Sequence, residues 1–158
     1  MLIKELIIIN HSGIAIFYQN FVGEKDIDYQ SIAGFFSALN TFANHSINDK
    51  INSIVMGKEI CYFVMKDDLY FIFRCAKKDF SEKQLKQKAE KVVNKFLQEY
   101  GDLLKDFKGN IACFNSFSEK LSDILEINTT NLKPSSEILS NLIGLNKTIN
   151  YKKVLDSL

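Results

Sequence analysis

The feature that most constrains this chain is the order in which its hydrophobic period changes. Apolar residues alternate or run together over 2–10 and 14–21, fall at helical spacing over 28–43, return to short apolar runs over 51–76, and become helical again after Ser81. A period near two marks strands and one near 3.6 marks helices. The chain is therefore expected to fold as two strands, a helix, three strands, a long helix and a shorter one.

Local chemistry supports each element. Leu6, Ile7, Ile8 and Ile9 follow one another without a polar break, which requires a strand covered on both faces and hence an interior one. The link His11-Ser12-Gly13 suits a hairpin in which glycine takes the left-handed conformation. Ile32, Phe35, Phe36, Leu39, Phe42 and Ala43 are read as one helical stripe, with Asp28 placed to cap the first turn. Gly34 and Ala38 leave little side-chain bulk and would let this helix sit close to a sheet or, alternatively, to a partner. After a polar link over 45–50, strands are expected over 51–56, 60–65 and 69–76. Their links Gly57-Lys58 and Asp67-Asp68 are short enough for an antiparallel meander. Ser81 with Gln84, and Ser116 with Glu119, have the spacing of capping boxes, and Phe80 can staple onto Leu85. Gly101 is expected to end or bend the long helix. Beyond Glu126 the composition shifts to Asn, Thr and Ser around the single proline, Pro134, so the chain divides into a domain over 1–126 and a linker with a short, docked helical tail over 127–158.

Composition narrows the role. A net charge of +1 from 20 basic and 19 acidic residues makes no field able to hold nucleic acid or an anionic membrane surface. The opening apolar stretch is broken by Lys4 and Glu5 and reads as a strand, not a leader; no apolar run approaches the roughly 18 residues of a membrane span, so no direct membrane insertion is expected. Cys61, Cys75 and Cys113 are odd in number and lie in apolar runs, as free thiols of a cytoplasmic protein would. His11 and His45 have no metal-ligand spacing around them, and the chain carries no phosphate-cradling loop and no nucleophile elbow. Asp67-Asp68 is read as turn chemistry. An enzyme is not expected, nor a cofactor or a metal.

With the order β-β-α-β-β-β-α-α established, residues 1–126 resemble a longin domain, the profilin-like module of trafficking proteins, with the roadblock fold as the near alternative. The likeness rests on the turn His11-Ser12-Gly13, the aromatic helix with Phe35, Phe36 and Phe42, the meander over 51–76, and the stretch Phe96 to Tyr100 of the long helix. It implies an α+β fold: a five-stranded antiparallel sheet with one helix on one face and two on the other. It also implies a protein that acts through surfaces, as an adaptor, a tether or a regulator of small GTPases, recruited to membranes only through a partner. The tail has no run of heptads, which argues against a membrane-fusion protein. The surface singled out is the edge of the third strand with the first helix: Lys50, Ile51, Asn52, Ser53 and Ile54, with Ser37, Asn40, Thr41 and Asn44. Lys50 is the only charged guard of that edge. The expected partner is a small GTPase or another longin- or roadblock-like subunit, a second copy included. Residues 136–158 either cover an interaction surface and are displaced by a partner, or cap the core. From a different class comes a small-molecule sensor, with Phe35, Phe36, Phe63 and Phe71 lining a pocket between sheet and helix.

Overall fold

The computed structural model describes residues 2–23 and 28–125; the linker and tail expected over 127–158 lie outside these. β1 (Ile3–Asn10) runs between β2 (Ala15–Asn20) and β5 (Leu69–Ala76), and β4 (Glu59–Lys66) and β3 (Ser53–Met56) follow beyond β5. The sheet order is β2-β1-β5-β4-β3 with every neighbour antiparallel. Leu6 and Ile8 enter one core, Ile7 and Ile9 the other, which is how four consecutive apolar residues are all buried. α1 (Tyr29–Phe42) covers the second core with Ala33 and Phe36, while α2 (Glu82–Lys105) and α3 (Phe117–Leu125) cover the first. The architecture is the expected α+β arrangement.

The larger core is organised around one ring. Phe96 of α2 has ring centroids of Phe117 at 5.0 Å, Phe114 at 5.6 Å and Phe71 at 5.7 Å, so sheet, α2, α3 and the 3₁₀ turn Ile111–Phe114 meet on a single side chain. The pairs with Phe71 and Phe117 are edge-to-face, and such pairs add about 0.5–1.5 kcal/mol each beyond the area they bury.

The turns obey local rules. Asn10 Oδ1 accepts from the Ser12 and Ile14 N–H groups at 3.1 and 2.9 Å, and Gly13 takes a φ of +80°. A Cβ on Gly13 would lie 3.1 Å from Ser37 Oγ of α1, so glycine is needed both for the turn and for the approach of the hairpin to the helix. Asp67 and Asp68 both have positive φ, 49° and 60°, as a two-residue hairpin loop demands. Asp28 Oδ1 caps α1 by accepting from the Ser31 N–H at 3.1 Å.

Four expectations need correction. Ser81 begins α2 without a side-chain cap bond, and the Ser116 hydroxyl is 2.9 Å from the Tyr100 hydroxyl, because the mostly buried phenol takes it as a partner. Gly101 does not end α2, which continues to Lys105; Leu104 and Phe107 pack on the core beyond it. The link after α1 is partly helical: a π turn, Ala43–Ile47, closes when the Asn48 N–H reaches back to the Ala43 carbonyl with Asn48 left-handed at φ 55°. β3 starts at Ser53, not Ile51, because Ile51 packs against the core beneath α1 and regular pairing begins after it.

A charged cluster fixes the register of the central strands. The β1–β5 pairing shifts between Ile3 and Glu5, and this bulge brings Lys4 and Glu5 to the same side. Lys4 Nζ lies 2.9 Å from Glu59 Oε1, and Arg74 Nε donates to Glu5 Oε2 at 2.7 Å while its other nitrogens reach Glu5 and Glu59. The Tyr18 hydroxyl donates to Glu5 at 3.3 Å. Burial pushes the Glu59 carboxyl up, but the hydrogen bonds and charges of Lys4 and Arg74 outweigh it and hold the group below its ordinary 4.5. A folded-state value below the unfolded one gives stability that is present above the unfolded value and is lost as pH falls through the folded one. Thermal unfolding followed from about pH 7 to about pH 3 should therefore show a falling melting temperature to which Glu59 contributes. Glu59→Gln should melt lower near neutrality and show a shallower acid slope; an unchanged slope would remove Glu59 from this account.

Candidate functional site

The two edges of the sheet are finished differently. At β2, Gln30 of α1 donates through Nε2 to the Ala15 carbonyl at 2.9 Å and accepts through Oε1 from the Ala15 N–H at 3.1 Å. At Ala15 one side-chain amide thus takes the place of a neighbouring strand. At β3 the phase is set by the Phe63 N–H, which donates to the Asn52 carbonyl at 2.9 Å, and by the pairing of Ser53 with Tyr62 and Ile54 with Cys61. In an antiparallel ladder alternate residues point their backbone groups inward and outward. Ile54 and Met56 therefore face β4, and the N–H and C=O groups of Ser53 and Val55 point into the open edge. No charged residue lies between Lys50 and Lys58.

α1, a helix without charge, packs over β1 and β2 and ends near the residues that lead into β3. From Tyr29 to Ile47 there is no Asp, Glu, Lys or Arg, although a quarter of the chain is charged. Ala33, Phe36, Asn40 and Ala43 are buried, whereas Phe35, Phe42 and Ile47 are 61%, 55% and 62% exposed. Phe35 and Phe42 are seven residues apart and share the outer face. Gly34 and Ala38 are exposed as well, so their small size does not serve close packing on the sheet; it opens the outer surface of the helix.

Of the residues singled out from sequence, Asn40, Asn44, Lys50, Ile51 and Asn52 come together around a recess of about 260 Å³ where α1 ends and β3 begins. Asn40 is 5% exposed and its Nδ2 donates to the Phe36 carbonyl at 3.0 Å; it braces the helix and is not available as contact surface. Ser37 and Thr41 open instead onto a shallow depression shared with Gly13 and Gly34, and Thr41 Oγ1 donates to the Ser37 carbonyl at 2.9 Å. Ser53 is exposed and Ile54 half-buried on the edge itself. Sequence reasoning does not pick out Phe35, Phe42, Ile47, Val55 and Met56 as surface; the absence of charge from Tyr29 to Ile47 is the signal for the first three and the uncharged run between Lys50 and Lys58 for the other two. The four aromatic residues of the sensor reading do not meet in one cavity: Phe36 and Phe63 lie in the core under α1, Phe71 in the core on the opposite face, and Phe35 is exposed. Behind the edge, burial pushes the Cys61 thiol up to about 11, so it is protonated and unreactive at neutral pH.

Sheet order, helix placement and hairpin chemistry together define a longin/roadblock-like fold. Among solved structures the chain is similar to Myxococcus xanthus MglB, with a TM-score of 0.51 at 12% identity over 63% of this chain and 85% of that one. No family model and no curated protein matches the sequence. Among the described residues no helix is long and apolar enough to cross a membrane.

The guard at β2 is open to a direct test. Gln30→Leu keeps the helix and removes both bonds to Ala15, leaving two backbone groups of a buried residue without their partner. Urea unfolding should show a loss of about 2 kcal/mol; a loss under about 0.5 kcal/mol would mean that solvent serves that edge as well as Gln30 does.

Proposed function

We propose that this chain is a non-enzymatic interaction module that pairs through β3 and α1, with a second copy or a subunit of the same fold, and so forms part of a small-GTPase-linked or membrane-trafficking-type complex as adaptor or regulator. The observation that carries the reading is the edge at β3, which presents the backbone groups of Ser53 and Val55 outward in a stretch with no charged residue between Lys50 and Lys58, whereas at the other edge the Gln30 side chain takes up the backbone groups of Ala15. An edge of this kind is a template for another strand. Antiparallel pairing of two β3 strands about Ile54 would join Ser53 of each copy to Val55 of the other through about four backbone hydrogen bonds. The α1 helices then lie on the same side of the joined sheet, each with Phe35 and Phe42 exposed on its outer face. The small-GTPase part of the reading comes from the resemblance to longin and roadblock modules, many of which serve such switches.

Light scattering at about 100 µM should give twice the 18.1 kDa chain mass. Ser53→Pro removes one outward donor at the first residue of an edge strand, where proline is tolerated, and Phe42→Asp places a charge on the helix face; each should give the monomer mass with the fold's circular dichroism retained. A wild-type monomer that also recovers no subunit of similar fold from lysate would sink the pairing. Recovery of a small GTPase that differs between GDP and a non-hydrolysable GTP analogue supports the regulator reading, and equal or no recovery removes it.

A further inference from the structure

On the α2 side of the sheet, at the end carrying the β1–β2 and β4–β5 turns, lies a groove of about 850 Å³ that shares no residue with β3 or α1. Leu97, Leu104 and Phe107 give it an apolar floor, and Ile14, 43% exposed, lines it from the first hairpin. Its rim carries the carboxylates of Asp67, Asp68 and Asp102 against one ammonium, Lys105, which is 2.7 Å from Asp102. The uncompensated charge therefore sits on the β4–β5 turn.

Three choices around this groove are poor ones for the structure they belong to. Gly101, in its wall, lies within α2, where only proline is a worse helix former. A Cβ there would meet nothing within 4 Å, so packing does not demand glycine; what glycine does achieve is a notch in the helix surface. Asp67 and Asp68 set two like charges side by side in a turn with positive φ at both positions, which Asn-Gly forms without either penalty. Ile14 leaves an apolar side chain in solvent beside a turn. Local rules broken together at one place mark a surface with another use.

We propose that the groove docks a short basic and apolar peptide segment of a partner protein. One aliphatic or aromatic side chain of the segment enters the notch at Gly101 between Leu97 and Leu104, and a neighbouring lysine or arginine meets Asp67 and Asp68. Charge selects this class of occupant: an acidic segment would set its carboxylates against the aspartate turn, and an uncharged one would leave the turn unanswered. Size selects a segment over a folded face, because the volume falls within the range of about 300–1,000 Å³ that encloses small ligands. The site is separate from the pairing proposed through β3.

The test selects a phage-displayed library of random peptides, about twelve residues long, on the immobilised full chain, with the Gly101→Gln chain as competitor in solution. Glutamine suits a helix better than glycine, so this variant should melt higher while its side chain fills the notch. Selected peptides should pair a lysine or arginine with a nearby aliphatic or aromatic residue. By fluorescence anisotropy they should bind the wild type at least about 10-fold more tightly than Gly101→Gln, which has lost the anchor pocket. Asp67→Asn with Asp68→Gly relieves the turn and should also melt higher, yet it should weaken the same peptides at least about 5-fold. Selection of no peptide, of acidic peptides, or of peptides that bind the wild type and both variants alike overturns the proposal. A Ser53→Pro chain that still has twice the monomer mass, and loses it on adding Gly101→Gln, assigns the groove to a second copy and overturns it equally. Gly101→Gln alone should leave the wild-type chain mass unchanged, so a failure here leaves the pairing through β3 untouched.

Discussion

β1 is hydrogen bonded along both edges while its side chains enter two different cores, and this double commitment sets the position of every other element. A slip of one residue would send Leu6 and Ile8 beneath α1 and Ile7 and Ile9 onto Phe96. Hydrophobicity alone discriminates weakly between these registers, because both sets of residues are large and apolar. The charged cluster does discriminate. Glu5 is almost fully buried and finds the Arg74 guanidinium only in the observed pairing, and the bulge that turns Lys4 toward Glu59 is part of the same solution. A buried ion pair contributes little net stability over an apolar substitute, but it penalises arrangements that leave one partner alone. Here it serves the choice of register.

What was legible in the sequence is what short-range rules decide. The run Leu6 to Ile9, the glycine turn after Asn10, the Asp28 cap and the aspartate turn before Leu69 each follow from a residue's own conformational needs or from its immediate neighbours. The capping boxes failed for the opposite reason: Ser116 has the right spacing, yet Tyr100, sixteen residues earlier, claims its hydroxyl. Gly101 reads as a helix end by propensity, and the packing of Leu104 and Phe107 overrides it.

The first helix is the most instructive case. By spacing its apolar residues make one stripe, but Phe35 and Phe42 lie on the far side from Ala33 and Phe36, and the stripe is two. Asn40, expected in the surface that the resemblance implies, lies four residues from Phe36 and seven from Ala33 and is buried with them. The sheet covers the side with Ala33 and Phe36, and Phe35 and Phe42 are exposed on the other.

In a pairing of the kind proposed, the absence of charge from Tyr29 to Ile47 would also govern how fast the partner is found. Oppositely charged faces draw proteins together at up to 10⁸–10⁹ M⁻¹s⁻¹ at low salt, whereas neutral faces meet at about 10⁵–10⁶ M⁻¹s⁻¹ and respond little to ionic strength. A surface of phenylalanine, serine and alanine cannot be steered to from a distance. The proposed partner would be recognised only on contact, and the lifetime of the complex would be set by how well the apolar side chains and the strand edge fit once they touch.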